Sequence, residues 1–199
     1  RSVSRGLGDV YKRQNIYDVN GELLAYNQLA YSVVISDNGS YSSTKEHNRL
    51  LNKELNEIIN VIKNNGGSIY NDFPVVLNDD GTYSFTLTSE TSKKRFLSDV
   101  FGKKYDKLEY NKALGFDEAN ASAQNIIDFL SSDQNECFDI SSKYDTQATY
   151  DIVVMRYAIK QNRFTKYKTT TIAKDVNDSI VAYVCLLYTS PSPRDTERS

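Results

Sequence analysis

Three short stretches of this 199-residue sequence carry residue types that could transfer an acyl group. Ser42-Ser43-Thr44-Lys45 sets a hydroxyl one helical turn from an amine, a spacing at which lysine can manage the proton of a serine nucleophile. Ser36-Asp37-Asn38 has the form Ser-x-Asn, and Lys168-Thr169-Thr170 approaches Lys-Thr-Gly. An acyl-serine site of this kind uses all three pieces. Here Ser-x-Asn comes first, only a few loop residues before Ser-x-x-Lys, whereas that motif set is written with Ser-x-x-Lys first. The third piece lacks the glycine that lets a strand approach its substrate closely. Ser43 has a better use as a helix cap, with Glu46 three residues on. No catalytic residue is assigned; a small stand-alone acyl-serine enzyme using Ser42 and Lys45 is the alternative.

Metal chemistry finds equally little. His47 is the only histidine, and it has no cysteine or histidine neighbour with which to converge on an ion. Asp18-x-Asn20-Gly21 could open a calcium loop, but the later ligands and the closing glutamate are missing. Glu109, Asp117, Glu118 and the Asp79-Asp80 pair are read as scattered over polar loops. Neither a metal nor a cofactor is assigned. Tyr105, Tyr110 and Tyr144 could form a contact patch, since tyrosine is favoured at interfaces, or could equally serve in packing.

The elements around these stretches are legible from periodicity. Asn20-Gly21 is a strong hairpin signal between Ile16-Tyr17 and Leu24 to Ala30, and Tyr31 to Ile35 reads as strand. After the cap at Ser43, the residues Leu51, Leu55, Ile58, Ile59 and Ile62 recur at helical spacing. Asn64-Asn65-Gly66-Gly67 should stop that helix. Val75 to Leu77 and Tyr83, Phe85 and Leu87 flank Asn78-Asp79-Asp80-Gly81 as a second hairpin. Helical stripes follow over 93–101, 119–130 and 146–161, marked by Phe96 and Leu97, by Ile126 and Leu130, and by Tyr150 and Tyr157. Residues 167–173 and 180–184 return to β-branched and aromatic types and are expected to be strand. The fold class is α+β, with strands from both chain ends pairing and a helical insert between them.

The spelling at both ends adds a resemblance. Ile16-Tyr17-Asp18-x-Asn20-Gly21-x-x-Leu24-Ala25-x-Asn27 resembles the first membrane-proximal motif of class B penicillin-binding proteins. That family usually has arginine after the aspartate, where Val19 stands here. Arg156-Tyr157-Ala158-Ile159, Asn162 and the stretch Thr171 to Val176, with Ala173 and Asp175, resemble the later motif of the same non-catalytic pedestal or dimerisation domain, particularly of the elongation type. Where that pattern often has proline before the strand, Thr169 and Thr170 stand here. The resemblance implies a pedestal that holds a D,D-transpeptidase domain of the same parent chain away from the membrane, on the extracytoplasmic side of a bacterial cell. It implies further partners too: a glycan polymerase of the SEDS type and a scaffold of the MreC type. An unrelated surface interaction module is the remaining alternative.

The extreme ends read differently. Ser4 to Gln14 can be encoded by a DNA string whose reverse complement, read one base in, translates as Cys-Leu-Leu-Tyr-Thr-Ser-Pro-Ser-Pro-Arg followed by Asp or Glu, and Cys185 to Asp195 has this sequence. One adapter joined to both ends of a DNA fragment would give this pair, and both ends look like translated sequencing adapters. Residues 1–14 and 185–199 are therefore expected to be adapter-derived, and 15–184 to be the domain fragment. Cys137 is then the only cysteine of that fragment. The formal charge of −2 becomes more negative once Arg1, Arg5, Lys12 and Arg13 are set aside against Asp9. Without a basic cluster, nucleic-acid binding is excluded as a function. No apolar run approaches the roughly 18 residues of a membrane span; by resemblance, the membrane helix belongs just upstream of the hairpin motif.

Overall fold

Strands from opposite ends of the sequence lie side by side. A computed structural model describes residues 16–17, 19–20, 22–25, 31–35, 41–134, 136–162 and 169–189. In chain order the first elements are β1 (Ile16–Tyr17), β2 (Leu23–Ala25), β3 (Tyr31–Ile35), α1 (Thr44–Asn64), β4 (Val75–Leu77), β5 (Tyr83–Phe85) and α2 (Glu90–Phe101). They are followed by β6 (Tyr110–Asn111), β7 (Phe116–Asp117), α3 (Ala123–Ser131), α4 (Thr146–Asn162), β8 (Thr170–Val176) and α5 (Asp178–Thr189). Single 3₁₀ turns occupy Tyr105–Lys107 and Glu118–Asn120. The mixture of helices with small antiparallel sheets is α+β, as expected.

The chain divides into two compact units, and α1 contributes to both: its residues up to Glu57 belong to one and those from Ile58 to the other. The first unit contains both ends of the sequence. β1 and β2 form the expected hairpin, with Val19 and Asn20 in its turn. β3 pairs antiparallel with β8, so Val33 faces Ala173 and Ile35 faces Thr170. The register shifts twice along this pair. Between Tyr31–Val176 and Val33–Ala173 the β8 side carries one extra residue, and Asp175 there has φ 54°. A bulge needs such a residue, and aspartate takes the left-handed region more readily than most. Val33, Ile35, Ile172, Ala173 and Val176 are all buried.

One expectation for this unit is corrected. Ile180 to Val184 is not strand but the middle of α5. Asn177 starts the helix, its Oδ1 accepting from the Ile180 amide at 2.9 Å and its carbonyl accepting from the Val181 amide at 3.2 Å. Ile180 and Val184 are then four residues apart on one buried face, and helical spacing outweighs β-propensity. Tyr167, in the strand expected over 167–173, lies outside the described residues, and β8 continues past Ala173 to Val176.

The end of α1 is fixed as its sequence suggested. Gly66 has φ 78°, and the Gly67 amide donates to the Ile62 carbonyl at 2.9 Å, the long bond of a Schellman stop. Gly67 is needed for a second reason. A Cβ there would lie 2.8 Å from Ile180 Cδ1, 2.9 Å from Ile62 Cγ2 and 3.1 Å from the Ile62 carbonyl oxygen. The Ile180 tip can swing aside; the β-branched Ile62 side chain and a helical carbonyl cannot. Gly67→Ala is therefore expected to cost about 1–3 kcal/mol by overpacking. Chemical denaturation checks this; a midpoint equal to that of the unsubstituted chain would show that the helix end yields freely.

The second unit holds the helical insert. The β4–β5 hairpin has Val75 opposite Phe85 and Leu77 opposite Tyr83, closed over Asn78 to Gly81 as expected. A further hairpin, β6–β7, occupies the stretch between the first two helical stripes, to which the sequence assigns no element. α3 begins later than Ala119: Ser122 Oγ accepts from the Asn125 amide at 3.1 Å while Asn125 Oδ1 accepts from the Ser122 amide at 3.0 Å. That reciprocal cap sets the start, and Glu118–Asn120 is left as a 3₁₀ turn. α4 is central, with all eight residues from Tyr150 to Tyr157 buried. A helix buried on every side shows no amphipathic stripe, so it must also bury Asp151 and Arg156.

Candidate functional site

Of the acyl-transfer candidates, the stretch Ser42 to Lys45 lies among the described residues. Ser42 Oγ donates to a carboxylate oxygen of Glu46, and the same oxygen accepts from the Ser42 amide at 3.1 Å. Ser43 Oγ accepts from the Glu46 amide at 3.1 Å. Both hydroxyls thus serve the start of α1, although Glu46 reaches back to Ser42 rather than to Ser43, one position earlier than a standard capping box. Lys45 is exposed. Ser36-Asp37-Asn38 and Lys168 lie outside the described residues. His47 packs against the Tyr41 ring, centroids 4.3 Å apart. Among the described residues no group of three or more His, Cys, Asp or Glu could hold a metal ion.

What the second unit does concentrate is a buried polar clamp centred on Arg156. From α4, Arg156 Nη1 donates to Asn52 Oδ1 at 2.9 Å and Nη2 donates to Asn48 Oδ1 at 2.6 Å. A guanidinium can only donate, so both amides must turn their oxygens inward and their NH₂ groups outward. Those groups then hold the loop before α4. Asn48 Nδ2 donates to the Cys137 carbonyl at 3.2 Å; Asn52 Nδ2 donates to the carbonyls of Phe138 at 2.9 Å and Asp139 at 3.2 Å. The guanidinium carbon also sits 5.0 Å from the Phe138 ring centroid. All three polar side chains are buried. The loop needs holding, because Glu136 (φ 65°) and Asp139 (φ 47°) both take left-handed backbone. Burial also pushes the Cys137 thiol pKa up, which keeps it neutral beside the clamp.

The neighbouring Tyr157 belongs to an aromatic cluster instead. Its ring lies 5.0 Å from Phe73 and 5.8 Å from Phe96, and burial pushes its hydroxyl pKa up. A second polar knot surrounds Glu118, which sequence reading had left on a polar loop. It is buried, takes Lys103 Nζ at 2.9 and 3.1 Å, and accepts the Glu109 amide at 3.1 Å. Charge-assisted bonds of this kind offset the desolvation of the carboxylate. The three tyrosines of the suggested patch divide: Tyr110 is exposed, while Tyr105 and Tyr144 are half-buried.

The motif residues are placed as follows. Asn20 is exposed in the β1–β2 turn, and Leu24 and Ala25 lie on β2. Asp18, Gly21 and Asn27 lie outside the described residues. Asn162 ends α4, Ala173 is buried in β8, and Asp175 forms its bulge. Among the described motif residues, Arg156 anchors the buried clamp on Asn48 and Asn52. Asn48, Asn52 and Glu118 were missed. The two asparagines carried a signal, since they extend the stripe of Leu55, Ile59 and Ile62 by one turn towards the N-terminus.

These networks brace backbone and present no nucleophile beside a base, which suits a structural domain. No curated protein matches the chain at a significant level. A family model described as Penicillin-binding Protein dimerisation domain matches residues 10–185, most of the sequence. The unrelated interaction module is thereby set aside, and the chain belongs to the penicillin-binding protein dimerisation domain family, a non-catalytic part of those proteins.

Proposed function

We propose that this chain is the pedestal of a membrane-anchored class B penicillin-binding protein of the elongation type, a peptidoglycan D,D-transpeptidase at the extracytoplasmic face of the membrane. Its role is to hold the transpeptidase domain of the same parent chain and to contact a SEDS-type glycan polymerase and an MreC-type scaffold. The observation that carries this reading is the meeting of the two family-like ends: the strand after the first motif, β3, pairs with β8, which contains Ala173 and Asp175. The same proposal takes 15–184 as the protein's own sequence.

A fluorescent β-lactam supplies the test. The purified chain is expected to remain unlabelled, and Ser42→Ala to change nothing, because Ser42 Oγ is committed to Glu46. Covalent labelling that Ser42→Ala abolishes would overturn the non-catalytic reading and favour the small penicillin-interactive enzyme. The flanking DNA tests the rest. An apolar span upstream, with Ser-x-x-Lys, Ser-x-Asn and Lys-Thr-Gly downstream in that order, is the expected result. A frame that stops soon after Val184 with no span before Asn15 removes the proposal.

A further inference from the structure

A cleft of about 300 Å³ opens in the second unit where the β4–β5 hairpin, α3 and the start of α4 converge. Its lining has a distinct chemistry. Tyr83 and Tyr144 supply aromatic surface and Ile127 an apolar contact, while Gln124, Asp128 and Thr149 supply polar side chains. Gln124, Asp128 and Ser131 come from one face of α3, at spacings of four and three residues. Gln124 Nε2 donates to Asp128 Oδ1 at 2.8 Å, which leaves the carboxylate's other oxygen pointing for a further donor.

The lining decides what the cleft admits. It contains no lysine, arginine or histidine, and it contains one carboxylate, so a phosphate, sulfate or carboxylate ligand is disfavoured. A purely apolar ligand would cover the Asp128 carboxylate without offering it a donor. A pyranose ring meets both requirements: its C–H face covers an aromatic ring, and its rim of hydroxyls both donates and accepts. The volume is at the small end for a ligand site, which suits one or two sugar rings. We propose that this cleft binds a neutral saccharide, with Tyr83 and Tyr144 as the aromatic walls and Asp128 and Gln124 as the hydroxyl-reading groups. Burial and the nearby Asp128 both raise the Tyr83 pKa, so its hydroxyl stays a donor at neutral pH. The inference stands on the lining alone and does not depend on the role of the parent protein; the β-lactam result leaves it untouched.

The experiment is an amide-shift NMR titration of the full chain with cellobiose and N,N′-diacetylchitobiose, with glucuronate as the charged control. Saturable shifts confined to residues 124–131 and 144–149 are expected with at least one disaccharide, at a dissociation constant in the millimolar range. Asp128→Ala and Tyr144→Ala should each weaken binding by about tenfold, equivalent to about 1.4 kcal/mol. Asp128 is exposed and on the solvent side of α3, so Asp128→Asn provides a variant that keeps the fold. Absence of saturable shifts with both disaccharides would overturn the proposal. So would shifts unchanged in the Asp128 variants, or glucuronate binding as tightly as the neutral sugars.

Discussion

Arg156→Ala is expected to lower the stability of the chain by about 3–5 kcal/mol, read as a fall in the urea midpoint at unchanged slope. The loss has two sources. Two hydrogen bonds from a charged donor disappear, each worth about 1.5–3 kcal/mol, and the Oδ1 atoms of Asn48 and Asn52 are left buried without them. The packing of the guanidinium on Phe138 goes as well. Arg156→Lys should recover less than half of the loss, since an ammonium cannot serve two acceptors in the guanidinium's planar fork. Arg156→Met separates the sources, because it keeps the apolar stem and removes the donors. If Arg156→Ala costs less than about 1 kcal/mol, water reaches the asparagines and the clamp is not buried in solution.

Phe96→Ala should cost about as much, roughly 3–5 kcal/mol, by a different mechanism. Phe96 is the centre of an aromatic cluster: its ring centroid lies 5.7 Å from Phe73, 5.8 Å from Tyr157 and 6.3 Å from Phe85. All three contacts are tilted towards edge-to-face, the arrangement that favours the ring quadrupoles. Truncation opens a cavity bounded by rigid rings drawn from a loop, a strand and a helix, and such walls collapse poorly. A fall in Tm on the order of 10 °C is the expected measurement. Phe96→Leu fills most of the space and should cost less than about half as much. Equal losses for the two would mean that ring geometry, and not volume, holds the cluster.

The parts of this fold that follow from local rules were legible from residues alone. α1 declared itself by the spacing of Leu51, Leu55, Ile58, Ile59 and Ile62, all buried to 2 % exposure or less. Its stop at Gly66-Gly67 and the β4–β5 turn are equally local. The failures have a common cause. Ile180 and Val184 carry β-branched side chains, and only the cap at Asn177 and the buried face of α5 overrule that preference. Asn48 and Asn52 go unremarked in the sequence, because a polar residue on a helix is the ordinary sign of exposure. Their partner is Arg156, more than a hundred residues later, and no local pattern announces a pairing at that range. Glu118 was misplaced for the same reason: its burial depends on Lys103 arriving from the end of α2.

The pairing of β3 with β8 sets the order in which the molecule can be assembled. The ribosome makes β8 well over a hundred residues after β3, so β3 has no β8 partner while the insert is being made. The insert between them is made complete in the interval and can acquire its own core before the closing strand exists. Closing a floppy loop of that length carries an entropic penalty that slows folding; an insert already folded shortens the effective loop. The terminal strands should thus be the last part to form and the first to open, and an uncovered β3 edge is where a newly made chain is most open to wrong strand partners.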